Sequence, residues 1–306
     1  MKICSFLPSG TEMVCYLGLE NSLVGITHEC DFPTSIKNLP KIVFPRFDSN
    51  KLTQSEMDRS VSEAFKNGES LYQIDEKKVL ELQPDLIVTQ NLCQVCAATG
   101  NQAVDVVKKL SKSTKILYMT PHNISEVLDN LVSLGEVTGL KTQAEKKRQE
   151  LEQRIQLIQT KTINLKPKRV FFIEWLDPIF SGGHWIDEMI RIAGGKDPFT
   201  NPNQESIRKN WNDILQYDPE ILLVSPCGYS LKNTIALAQT YLKNYENIQE
   251  TSAYKNNQIY ALDANGYFAR PAPRLIDGIE ILAEIFHPEI FSNAQHSTHY
   301  KNIQLL

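Results

Sequence analysis

Short apolar runs alternate with amphipathic stretches along most of the chain. Lys2–Phe6 reads as a strand, and Ser9-Gly10-Thr11-Glu12 has the spacing of a capping box, opening a helix that ends near Gly18. Leu23–Thr27 is the next strand, followed by a loop that carries Pro33, Pro40 and Pro45. Thr53-Gln54-Ser55-Glu56 is a second capping box, for a helix to about Lys66 that stops at Asn67-Gly68. A short helix over Asp75–Leu82 precedes Pro84 and a buried strand at Leu86–Thr89. Val104–Leu110 is helical and Lys115–Met119 a strand. Strands that alternate with helices predict a mostly parallel sheet.

From Ile124 to about Thr162 the pattern is helical, broken at Gly139. The second piece, Lys141–Thr162, carries the opposite-charge pairs Lys146–Glu150, Arg148–Glu152 and Glu150–Arg154 at helical spacing. It reads either as a surface helix of one lobe or, at about 30 Å, as a connection between two. After Pro167 the alternation resumes. Strands are expected at Arg169–Ile173, Ile221–Ser225 and Gln258–Leu262. Helices are expected at Trp185–Ala193, Trp211–Tyr217, Thr234–Asn244 and Leu275–Phe286. The tail after Pro288 shows no pattern and is expected to be poorly ordered.

One internal echo matters. Val79–Thr89 and Ile214–Val224 each read as helix, proline and acid, then apolar strand, and each strand leads into a loop with cysteine. This suggests two similar lobes. The expected organisation is an N-terminal α/β lobe over 1–122, a connecting helical segment over 123–165, a C-terminal α/β lobe over 166–290 and a tail over 291–306.

Composition changes this picture little. The 306 residues are 42% hydrophobic and 22% charged, with a net charge of −4 and no basic block, so a nucleic-acid or anionic-membrane partner has no electrostatic support. No apolar run is long enough to cross a bilayer. Met1-Lys2 leads directly into the first strand, so the chain as written is expected to be cytoplasmic. A removed signal would make it periplasmic. Six cysteines (Cys4, Cys15, Cys30, Cys93, Cys96 and Cys227) are too few for a disulfide scaffold.

Open parallel sheets bind ligands in the loops beyond the carboxyl ends of their strands. Those loops carry Ser9; His28, Glu29 and Cys30; Cys93 and Cys96; Glu174 and Trp175; His184 and Trp185; Cys227 and Tyr229; and Tyr267 and Arg270. Cys4 and Cys15 read as core. Cys93-x-x-Cys96 is a redox pair, half a metal site or a structural element. A soft metal site assembled from Cys30, Cys93, Cys96 and Cys227 or His28 is stereochemically allowed if the lobes close. His28 and His184 are cleft residues held by hydrogen bonds, or ligands. The aromatic residues are core, or flat walls for a planar ligand. No phosphate loop, nucleophile elbow or His-Glu-x-x-His helix occurs, and no catalytic set is identified.

The run Ser5–Glu12 with Leu17-Gly18-Leu19 and Leu23–Thr27 resembles the opening of iron-siderophore and cobalamin periplasmic-binding domains. Thr27–Pro33, Leu92–Ala97, Glu174–Pro178, Gly183–Trp185 and Arg270–Arg274 are similar to a cobalamin-binding-protein-like branch of that helical-backbone metal receptor family. The resemblance implies a class III periplasmic-binding-protein fold: two Rossmann-like α/β lobes joined by a long rigid helix. It implies a corrinoid such as cobalamin, or another metal chelate, in the inter-lobe cleft. Trp175, Trp185, Tyr229 and Tyr267 would then face the ring, and His28, Cys30 or Cys93 would offer an axial ligand. An ABC permease is the implied partner if the protein is exported. A cytosolic thiol-dependent or soft-metal protein is the alternative.

Overall fold

The computed structural model describes residues 1–46, 52–67, 69–90, 100–111, 113–291 and 295–305. They pack as two units. The first comprises Met1–Pro121 and Ser125–Arg148, the second His122–Ile124 and Gln149–Leu306.

The elements of the first half are β1 (Ile3–Ser5), α1 (Pro8–Tyr16), β2 (Leu23–Thr27), β3 (Lys41–Pro45), α2 (Gln54–Lys66), β4 (Tyr72–Ile74), α3 (Glu76–Leu82), β5 (Leu86–Thr89), α4 (Gly100–Val107), β6 (Lys115–Tyr118), α5 (Ile124–Thr138) and α6 (Lys141–Thr162). Their sheet has the order β4-β3-β2-β1-β5-β6, parallel except where β4 runs against β3. Its core is Cys4, Phe6, Ile42, Val79, Ile87, Ala103 and Val106.

Three readings change here and one holds. The Ser9 capping box does not form: Leu7 is the N-cap in extended conformation and Pro8 takes the first helical turn, so Ser9 lies inside α1. The second box does form, with the Thr53 N–H bound to Glu56 Oε2 at 2.8 Å and the Glu56 N–H bound to Thr53 Oγ1 at 3.3 Å. The proline-rich loop contains β3; Pro40 precedes it, its carbonyl accepting the Ile26 N–H at 2.9 Å, and Pro45 ends the strand. β4 has three residues, too few to show a period of two.

In α6 the buried apolar positions are Ala144, Leu151 and Ile158, one per seven residues, on an otherwise polar helix. Its first turns pack on α5, where a side chain at Gly135 would overlap the Ala144 methyl. Its arginines bind neighbouring helices. Arg148 reaches Asp129 of α5 at 2.5 Å, and Arg154 binds Glu280 and Asp277 further on.

The second half contains β7 (Lys168–Leu176), β8 (Ile179–Ser181), β9 (Gly183–His184), α7 (Ile186–Ile192), β10 (Gly195–Lys196), β11 (Asn201–Pro202), α8 (Trp211–Tyr217), β12 (Ile221–Val224), α9 (Leu231–Tyr241), α10 (Ser252–Lys255), β13 (Ile259–Leu262), α11 (Ala264–Tyr267), α12 (Leu275–Phe286) and β14 (Tyr300–Asn302). The sheet order is β10-β7-β12-β13-β14, with β8 turning back on β7. Phe171, Ile173, Leu222, Val224, Leu242 and Ala261 fill its core. The tail is not the loose end expected. β14 pairs antiparallel with β13, and Ile303 is buried beside it. A three-residue strand has no sequence signature, and the open edge of β13 supplies the order.

The internal echo is a structural repeat. Gln83 and Asp218 end their helices in left-handed conformation, at φ 50° and 51°. Asp85 and Glu220 then do the same job. Each gives its backbone N–H, at 2.8 Å, to the carbonyl of a residue at the start of the neighbouring strand, Lys2 or Arg169. Each carboxylate takes that same residue's N–H, at 2.7 and 2.9 Å.

Candidate ligand-binding residues

In the first unit the loop after β2 is held tightly. The His28 backbone N–H donates to the Val43 carbonyl at 3.0 Å, and the His28 ring Nδ1 lies 3.1 Å from the same oxygen. Its Nε2 is 3.7 Å from Glu29, which is exposed. Cys30 is buried, its sulfur 3.1 Å from Thr11 Oγ1 and 3.3 Å from Thr27 Oγ1. Ser9 is buried in the first turn of α1. Cys93 and Cys96 lie outside the described residues. Burial pushes the thiols of Cys4 and Cys15 up to about 12; Cys4 is in the core as expected, whereas Cys15 is only partly buried.

In the second unit three strand-end loops are tied along the carboxyl edge of the sheet. The Cys227 N–H donates to the Glu174 carbonyl at 3.3 Å, and the Asn265 N–H donates to the Tyr229 carbonyl at 3.1 Å. Trp175 and Tyr229 meet edge to face there, 6.0 Å between centres, and both are half-buried. Cys227 is exposed beside them. This edge gathers Glu174, Trp175, Cys227 and Tyr229, four residues read from the sequence.

The tie to Cys227 uses only the Glu174 backbone carbonyl. The Glu174 carboxylate accepts the Gly183 N–H at 3.0 Å. Burial raises its pKa to about 7, against the opposing pull of hydrogen bonds from Gly183 and Ser206. Gly183 is fixed as glycine, because a Cβ would run into the backbone of Ser206. The fractional exposure of Glu174 is intermediate, yet its carboxylate is enclosed by this turn.

Two aromatic residues expected to face a ligand are instead built into the unit. Trp185 is 5% exposed and its indole N–H donates to the Phe268 carbonyl at 2.8 Å. Tyr267 is 9% exposed, its hydroxyl 3.0 Å from His299 Nε2 and its ring under the Arg274 guanidinium. Arg270 is also buried, and its carbonyl caps the turn to Ala272 at 2.8 Å. His184 is half-buried, stacked on Trp185 with centres 5.4 Å apart.

Two groups escaped the sequence reading. Asp197 is buried and accepts the Phe172 and Phe199 N–H groups at 2.8 and 2.9 Å; burial raises its pKa to about 7. His122 follows β6, a strand end left out of the loop survey, and its ring lies 6.3 Å from that of His184. The position at a strand end was the available signal.

Among curated proteins the chain is 25% identical over 298 residues to an uncharacterized ABC transporter substrate-binding lipoprotein, YvrC, of Bacillus subtilis, covering 95% of this chain and 81% of that one. It is 24% identical over 281 residues to the vitamin B12-binding protein of Vibrio cholerae, covering 91% and 86%. Among solved structures it matches the periplasmic heme-binding protein HutB of Vibrio cholerae with a TM-score of 0.72 and 18% identity, covering 94% and 99%. These findings overturn the expectation of a cytoplasmic protein, which rested on the first residues of the chain. The relatives point outside the cytoplasm, and where a sequence starts does not report where a protein works. The periplasmic binding protein family model matches residues 3–265, so the chain belongs to the periplasmic binding protein family.

Proposed function

We propose that this binding protein takes a metal tetrapyrrole of the vitamin B12 or heme class and delivers it to an ABC permease. The observation that carries the reading is the Trp175–Tyr229 pair on the tied carboxyl edge of the second unit. Two half-buried rings on a backbone fixed by interloop hydrogen bonds offer a preformed apolar wall, which suits a large flat ligand. The names of the relatives, a vitamin B12-binding protein and a heme-binding protein, support the same class.

The alternative of thiol or soft-metal chemistry is not favoured. Cys30 sits between two threonines, and the Cys4 and Cys15 thiols are held protonated by burial. Among the described residues no three His, Cys, Asp or Glu side chains are grouped to hold a metal ion.

Calorimetric titration with aquocobalamin, hemin and a ferric siderophore tests the proposal. It predicts saturable binding of a tetrapyrrole with a dissociation constant on the order of micromolar or tighter, about −8 kcal/mol. Binding of the siderophore alone would refute it.

A further inference from the structure

His184 is set up in a way that its packing does not require. It adopts a left-handed backbone conformation, φ 52°, uncommon outside glycine, although histidine is among the residues enriched there. The conformation is held from both sides. The His184 N–H donates to the Gln204 carbonyl at 2.6 Å, and the His184 carbonyl accepts the Asn203 N–H at 3.1 Å. The ring is backed by Trp185, itself anchored to Phe268. Yet Nδ1 of this ring is buried with no hydrogen-bond partner among the described residues. Buried polar atoms are nearly always satisfied, so an orphan nitrogen on a preset ring points to an absent partner.

The second imidazole is His122. It belongs to the same unit, and its segment is fastened there by the Ile124 N–H, bound to Glu188 Oε2 at 3.0 Å. The two ring centres are 6.3 Å apart and the planes are tilted by 57°. A metal bound to imidazole nitrogen sits roughly 3 Å from the ring centre, so two rings on opposite sides of one ion have centres roughly 6 Å apart.

We propose that His122 and His184 form a two-imidazole site for a late first-row transition metal with exchangeable coordination positions, either as the free divalent ion or as the centre of a bound chelate. Neutral imidazole suits cobalt, nickel, copper, zinc and iron. The free-ion form stands by itself; the chelate form rests on the tetrapyrrole reading above.

The test uses the full chain with Co2+ and, separately, with hemin and aquocobalamin. Co2+ is expected to bind one ion per chain with visible d–d bands and no sulfur-to-cobalt charge-transfer band. Affinity should fall more than about a hundredfold in both His184→Ala and His122→Ala, beyond what loss of an outer partner would cause. Cys227→Ser should bind as the parent does. If the chelate is the source, hemin or aquocobalamin should show a nitrogen-ligated spectrum in the parent. His184→Ala should then still bind the chelate but lose that spectrum. Circular dichroism and melting of each variant separate loss of the site from loss of the fold. Either response supports the site. Absence of both, in variants that fold, overturns it. If the chelates bind with unchanged spectra and Co2+ does not bind, the tetrapyrrole reading stands and this one falls. If Co2+ alone binds, the reverse holds.

Discussion

The indole N–H of Trp185 donates to the carbonyl of Phe268 at 2.8 Å, joining the start of α7 to the end of α11. Trp185 is therefore an anchor rather than a ligand wall. Trp185→Phe keeps most of the volume but leaves a buried carbonyl unpaired, so stability should fall by about 1–3 kcal/mol. Trp175→Ala, at the half-buried edge, should weaken ligand binding with less effect on stability. Chemical denaturation and ligand titration of the two variants check this contrast.

Arg154 of α6 holds α12 through Glu280 at 2.9 and 2.7 Å and Asp277 at 2.5 Å, and His296 of the tail adds a bond to Glu280 at 2.9 Å. Burial disfavours the Glu280 charge, but the His296 and Arg154 hydrogen bonds override it and hold the pKa at about 2. The stabilisation from Glu280 is complete above its ordinary value of 4.5 and is lost as pH falls towards 2. The hydrogen bond to Glu280 raises the His296 pKa, so its contribution is complete below 6.5 and is lost as pH rises through the raised value. Melting temperature against pH should fall at both ends, and Glu280→Gln should flatten both limbs.

Glu174 has the opposite sign. Its folded pKa of about 7 lies above its ordinary 4.5, so its enclosure costs stability progressively as pH rises from 4.5 and in full above 7. Glu174→Gln should therefore gain on the parent across that interval while retaining an acceptor for the Gly183 N–H. A melting difference that does not change with pH would contradict this.

Much of the fold was legible, and the reasons are local. The helix, proline and acid, strand echo was read correctly because the carboxylates of Asp85 and Glu220 sit in equivalent bonds. The α2 capping box was also legible, since Thr53 and Glu56 satisfy each other locally. Ser9 misled because the helix starts at Pro8, with Leu7 as N-cap two residues before the expected one. β3, β4 and β14 owe their existence to neighbouring strands, which no local window contains. At the candidate site, residue types were readable but direction was not. Trp175 and Trp185 look alike in sequence, and only packing separates edge from interior.

The cysteines make a simple check. Cys227 is exposed, whereas Cys4 is enclosed in the first unit's core and Cys15 is partly buried, their thiols pushed up to about 12. Among the described cysteines, a thiol reagent on native protein should label Cys227 first, and Cys4 only on unfolding. Peptide mapping after partial labelling reads the order.

Titration of the purified protein with aquocobalamin and hemin, followed by visible difference spectroscopy, tests the central claim most directly. A saturable spectral change at one ligand per chain, weakened in Trp175→Ala, is predicted. No change with either tetrapyrrole would contradict it.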